Sequence, residues 1–144
     1  MIDMFTLNAT DVRKDWGGFI DSLVREKPKF IKRSRDFIFA SSLDMMTEML
    51  KAYTFRADVF KEEDNSITLS LNEIDIVVNG DSFDKALDIL TDDLIGYAND
   101  FYKDFEYWFS APNRKAHLPY VINVLVQENR ESVKRIIKCQ DGKS

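Results

Sequence analysis

Eight apolar residues between Phe83 and Trp108 constrain the fold more than any other feature of the chain. Phe83, Leu87, Leu90, Leu94, Tyr97, Phe101, Phe105 and Trp108 follow one another at steps of four and three. That spacing places them on one stripe of a long α-helix. Asp81 or Ser82 supplies its N-cap and Ala111-Pro112-Asn113 breaks it, so the pattern predicts a single helix over about 81–110. Such a stripe must be covered, and the preceding segments can cover it. Tyr53–Val59, Ser66–Leu71 and Ile74–Asn79 alternate or cluster apolar residues as strands do, with the polar run 61–65 turning the chain. Beyond the break, Pro119 fits the first turn of a further helix carrying Leu118, Val121, Ile122, Leu125 and Val126. A last short helix is expected over 131–138, with Val133, Ile136 and Ile137 apolar, and the tail QDGKS is expected to fray.

The first third reads differently. Met4–Leu7 is expected as a strand, followed by a helix capped by Asn8 or Thr10 with Asp11 in its first turn. The helix carries Val12, Trp16, Phe19, Ile20, Leu23 and Val24 as one buried stripe and ends before Pro28. Gly17-Gly18 in its middle costs about 1 kcal/mol per glycine relative to alanine. Close approach of another backbone or a local distortion would each account for the pair. Lys29–Arg33 and Phe37–Ser41 read as two strands. Ser41 or Ser42 then caps a helix with Leu43, Met46, Met49 and Leu50 apolar. So small a sheet is thin for a monomer, and pairing of two copies across it would complete a core. The fold class expected is α+β. Residues 1–52 form a β-α-β-β-α unit, and residues 53–144 a small antiparallel sheet with C-terminal helices.

Charge divides at the same place. The chain has a formal net charge of −5, yet residues 1–52 hold nine basic and eight acidic side chains, against eleven and seventeen in residues 53–144. Arg25, Lys27, Lys29, Lys32, Arg33 and Arg35 crowd into one short segment opposed only by Glu26. A few lysines on a loop often do no more than keep it solvated. Placed on an acidic chain, the cluster also suggests two surfaces meeting two kinds of partner.

Chemistry-bearing motifs are sparse. One histidine, His117, and one cysteine, Cys139, fall short of a zinc ligand set and are expected as a helix-end imidazole and a small buried thiol. No phosphate-cradling glycine motif and no nucleophile elbow occurs, so neither a catalytic set nor a cofactor is expected. The acids Asp81, Asp84, Asp88, Asp92, Asp93, Asp100, Asp104 and Glu106 line the long helix without the spacing of a calcium loop. They read either as a solvated face or as an acidic surface for a basic protein. The dense aromatics, Trp108 among them, are mostly core, and some can anchor an interface. No segment approaches the length of a membrane span, no signal peptide is apparent, and a lone cysteine suits a reducing compartment. The cytoplasm is expected.

The stretch FTLNATDVRKDWGGFIDSLVREKPKFIKRSRDFIFASSLDMMTEML resembles the Phd/YefM antitoxins of bacterial toxin–antitoxin modules. The shared pattern is a short strand, a helix opening with small and basic residues, a basic hairpin (here FIKRSRDFIFASS) and a short helix after the serine. The chain departs from it at Ser34-Arg35-Asp36, where the family often has a glycine, and at the WGG of the first helix. The resemblance implies a homodimer formed through the sheet that binds operator DNA and represses its own operon. It places Thr10, Arg13 and Lys14 on the helix, and Lys32, Arg33 and Arg35 on the turn, against the DNA, with Arg33 the first candidate for reading a guanine. GDSFDKALDILTDDLIGYANDFY is similar to a helix of HicB-like antitoxins. The whole chain looks like a longer Phd-like group in which the folded C-terminal part faces the toxin. Asp92, Asp93, Asp100, Asp104 and Trp108 are the candidate contacts to a basic toxin, such as one acting on RNA. The alternative reading is a stand-alone transcription regulator whose C-terminal domain senses a small ligand.

Overall fold

In the computed structural model, which describes residues 1–142, the chain separates into two compact units, Met1–Met49 and the residues from Leu50 onward. The class is α+β, with two sheets and seven α-helices among the described residues.

The first unit begins with a 3₁₀ turn at Asp3–Phe5, closed by the Phe5 N–H donating to the Ile2 carbonyl at 2.9 Å. Only Leu7–Asn8 (β1) pairs as a strand, so the strand expected from Met4 is shorter and starts later. α1 (Ala9–Lys14), α2 (Trp16–Arg25), β2 (Lys29–Arg33), β3 (Asp36–Ala40) and α3 (Leu43–Leu50) follow. The sheet order is β1-β2-β3, with β1 parallel to β2 and β3 antiparallel to it. Where one helix was expected there are two. Asp15 leaves helical geometry (φ −135°, ψ 67°), and its carboxylate accepts the Gly18 N–H at 3.2 Å. A short carboxylate competing for nearby backbone donors restarts the helix. A Cβ on Gly18 would collide with that carboxylate, whereas one on Gly17 would meet open space. The glycine pair therefore belongs to a local distortion. The restart also turns Trp16 and Val24, expected in the core, out to solvent at 59% and 56% exposure. Val12, Phe19, Leu23 and Ile31 form the core that remains.

The second unit comprises β4 (Phe55–Lys61), β5 (Ile67–Leu71), β6 (Val77–Gly80), α4 (Phe83–Lys103), α5 (Phe105–Ser110), α6 (Leu118–Leu125), α7 (Arg130–Arg135) and β7 (Ile137–Asp141). Its sheet runs β6-β5-β4-β7. The β4–β7 pair is parallel, which corrects the expected antiparallel sheet to a mixed one. The terminal helix expected over 131–138 stops at Arg135. The Phe55 N–H takes the Ile136 carbonyl at 2.8 Å, and the following residues add a fourth strand beside β4. A two-residue apolar run such as Ile136-Ile137 fits a helix or a strand, and this distant pairing decides it. Gln140 and Asp141 thus belong to β7 rather than to a frayed tail, while Lys143 and Ser144 lie outside the described residues.

The long helix also divides, at Asp104 (φ −118°, ψ 54°), and resumes with the Trp108 N–H on the Asp104 carbonyl at 3.1 Å. Leu90, Leu94 and Phe101 are buried on the sheet, with Leu87, Tyr97 and Trp108 packed around them; Phe83 and Phe105 lie at the exposed margin. Ala86, Thr91 and Ala98 are fully buried too, small residues that bring α4 close to the strands. Gly80 is part of that approach, since a Cβ there would lie 2.6 Å from the Ala86 backbone nitrogen. Of the paired cap candidates, Asn8, Ser42 and Ser82 accept backbone N–H groups, from Thr10, Met45 and Lys85.

Candidate functional site

Basic residues gather at one end of the first sheet because β2 and β3 pair to their last residues. The register closes at Arg33↔Asp36, leaving Ser34-Arg35 as a two-residue loop. Such loops need a residue with positive φ. Ser34 takes it, at 56°, in the place where the resemblance expects glycine. Parallel pairing of Asn8 with Lys32 brings the start of α1 alongside this loop. Thr10, Arg13 and Arg33 consequently line one depression, and Thr10, Lys32 and Arg33 also line the larger open groove adjoining it. Lys32 lies with its Nζ 5.1 Å from the centre of the Phe37 ring. Lys14 stands apart, loosely paired with Asp11 at 4.0 Å, and Arg35 projects from the loop outside both concavities. Asn8 and Ser34 line the groove as well. Neither residue carries a charge that would mark it as a contact in the sequence, where Asn8 reads as a helix cap.

The acidic helix of the second unit is not one uniform face. Asp88 and Asp92 are held by α7. Arg130 Nε donates to Asp92 at 2.8 Å and its Nη2 reaches Asp88 at 3.3 Å, while Lys134 Nζ donates to Asp88 at 2.8 Å. The Lys134 and Arg130 hydrogen bonds hold the Asp88 carboxyl below the usual carboxylate range. Asp92 is therefore engaged within the unit, by Arg130 about forty residues further along the chain. Asp93, Asp100 and Asp104 are exposed and form no ion pair among the described residues. Trp108 is half-buried against Tyr97 and Phe101, with the Arg114 guanidinium 5.9 Å from its ring.

On the other flank of α4, the Tyr97 hydroxyl lies 2.7 Å from Nδ1 of the buried His117. Burial, and then the Arg114 charge, push the imidazole below its ordinary value; burial raises the Tyr97 phenol. Arg114 in turn pairs with Asp75 at 3.8 Å. Cys139, expected as a buried thiol, is exposed on β7. Among the described residues no cluster of histidine, cysteine or carboxylate side chains is suited to a metal ion, and no helix is long and apolar enough to cross a membrane.

Residues 1–139 match the model of the PHD-like family, described as the antitoxin of toxin–antitoxin (RelE/RelB) systems. No curated protein matches the chain. Among solved structures, a chain from Syntrophomonas wolfei subsp. wolfei, described as "an antitoxin part of a putative toxin/antitoxin system", is similar to it at 35% identity and a TM-score of 0.89. That match covers 94% of this chain and 98% of the other. With the basic hairpin, the α+β architecture and the family match over nearly its whole length in agreement, the chain belongs to the PHD-like antitoxins of toxin–antitoxin systems.

Proposed function

We propose that this antitoxin acts in the cytoplasm purely by binding, using its two units for two partners. The first unit dimerises through its sheet, binds operator DNA and represses its own operon. The second covers a basic, RNA-acting toxin. The observation that carries the DNA reading is the convergence of Thr10, Arg13 and Arg33 on one depression, with Lys32 on the adjoining groove, in a chain of net charge −5. Arg13, Arg33 and Arg35 have no acidic partner among the described residues, so their charge is available to phosphates. Phosphate contacts supply affinity that falls steeply with salt, and an arginine that reaches a guanine edge supplies sequence choice. Dimerisation is supported by β3, an edge strand on which Phe37, Ile38 and Phe39 are 46%, 49% and 43% exposed. Exposed apolar edges of this kind are normally paired or covered.

Fluorescence anisotropy of the protein against DNA from immediately upstream of its gene tests the reading. Binding should weaken as salt rises, and Arg33→Ala/Arg35→Ala should shallow the salt slope by about two contacts. Binding that is absent, or unchanged in the double variant, would leave this unit a dimerisation platform only.

A further inference from the structure

The surroundings of α4 leave one side of this helix uncovered. Leu90, Leu94, Ala98 and Phe101 face the core. One flank, with Asp88 and Asp92, is closed by Arg130 and Lys134 of α7. The opposite flank, with Tyr97, is closed by His117 and Arg114. Asp93, Gly96 and Asp100 succeed one another at steps of three and four, so they share the remaining face of α4, and Asp104 and Tyr107 follow at and just past the break into α5. All five are exposed, and the three carboxylates form no ion pair among the described residues.

Two features separate this face from an ordinary solvated one. Gly96 lies inside a 21-residue helix, and a Cβ on it would have nothing within 4 Å. Glycine is the poorest helix former after proline. Gly80 and Gly18 are each explained by a neighbour that a side chain would strike; Gly17 and Gly96 have no such neighbour, but Gly17 belongs to the break at Asp15, whereas Gly96 lies in unbroken helix. What the missing side chain provides is bare backbone open to an incoming element. Tyr107 is 63% exposed, yet its ring is held edge-on to Trp108 at 5.3 Å between centroids. A large, amphipathic, already-positioned tyrosine is the kind of anchor that dominates interface energetics.

We propose that the cognate toxin docks on the α4 face formed by Asp93, Gly96 and Asp100, reaching Asp104 and Tyr107 at the start of α5. The toxin seats a basic element against Gly96 between the carboxylates and packs against Tyr107. Asp92, one turn before Gly96 and exposed though tied to Arg130, and the half-buried Trp108 border the surface. The proposal rests on the reading that the second unit binds the toxin. The unpaired carboxylates of a net-acidic unit complement a basic partner and set partner choice and encounter rate.

The test is calorimetric titration of the full-length protein with the purified product of the neighbouring gene in the same operon, at two salt concentrations. Gly96→Gln is the decisive variant. It fills the bare patch without changing charge and replaces glycine by a better helix former. The proposal predicts that it raises the melting temperature of the free protein while weakening the complex at least about tenfold. Asp93→Asn/Asp100→Asn/Asp104→Asn should weaken the complex by a similar factor and flatten its salt dependence. A wild-type complex that every variant preserves would overturn this surface and leave the binding reading intact. A wild-type protein that forms no complex would overturn both.

Discussion

Phe101 and Phe39 both sit in regular secondary structure, but Phe101 is fully buried and Phe39 is 43% exposed. The difference follows the boundary between the two units. From Leu50 onward, strands of β4–β7 and helices α4, α6 and α7 enclose a contiguous core that includes Phe55, Leu69, Leu90, Leu94, Phe101 and Val121. Within residues 1–49, Val12, Phe19, Leu23 and Ile31 form the whole buried core, while Phe37, Ile38 and Phe39 stand on an edge strand. Apolar burial stabilises at roughly 25 cal/mol per Å². The second unit obtains that contribution within one chain. The first leaves much of it unrealised until another surface covers β3. In the reading proposed here the covering surface is a second copy, so one polypeptide carries a self-sufficient unit beside one whose stability depends on concentration.

Core truncation sharpens this contrast most. Phe101→Ala should destabilise the second unit by about 3–5 kcal/mol, measured by urea unfolding, because it removes a fully buried ring and leaves a cavity. Phe39→Ser should have a different signature. The free monomer should lose only about 1–2 kcal/mol, from the cross-strand pair with Phe30, whose ring lies 5.2 Å away. Sedimentation equilibrium should nevertheless show self-association weakened about tenfold or more. Equal self-association in the variant would break the contrast, since β3 would then be solvated as it stands.

The smallest expected effect concerns His117, the sole histidine of the chain. Its folded value is depressed by burial and by Arg114, whereas the unfolded imidazole titrates near its ordinary value of about 6.5. The contribution is therefore fully present above about pH 7 and is lost as the pH falls toward the folded value, because the unfolded chain takes the proton first. Unfolding midpoints of the second unit should decline across that window with a slope no steeper than about 1.4 kcal/mol per pH unit, the limit for one proton. His117→Gln should flatten the decline. A slope that survives the substitution would assign it to other groups, Asp88 at lower pH being the first to examine.

What could be read from the residues depended on how local its cause was. The stripe from Leu87 to Phe101 repeats with the helical period and packs into the core beside the sheet, and Asn8, Ser42 and Ser82 mark their helices by residue type. The breaks at Asp15 and Asp104 were hidden because apolar residues run on at helical spacing through both, although the break at Asp15 leaves Trp16 and Val24 outside the core. β7 was missed because its pairing partner, β4, lies some eighty residues earlier. The candidate sites divide in the same way. The basic hairpin was visible as composition, but the meeting of Arg13 with Arg33 depends on the parallel β1–β2 pairing. The acids of α4 looked alike in sequence. Only the docking of Arg130 and Lys134, about forty residues further on, separates engaged Asp88 and Asp92 from free Asp93, Asp100 and Asp104.

A crossed binding experiment tests the division of labour most directly. Full-length wild type, Arg33→Ala/Arg35→Ala and Asp93→Asn/Asp100→Asn/Asp104→Asn are each titrated against upstream DNA and against the neighbouring gene product. The account predicts that the arginine variant loses DNA and keeps the toxin, and that the aspartate variant loses the toxin and keeps DNA. Loss of both partners in either variant, or of neither, would contradict it.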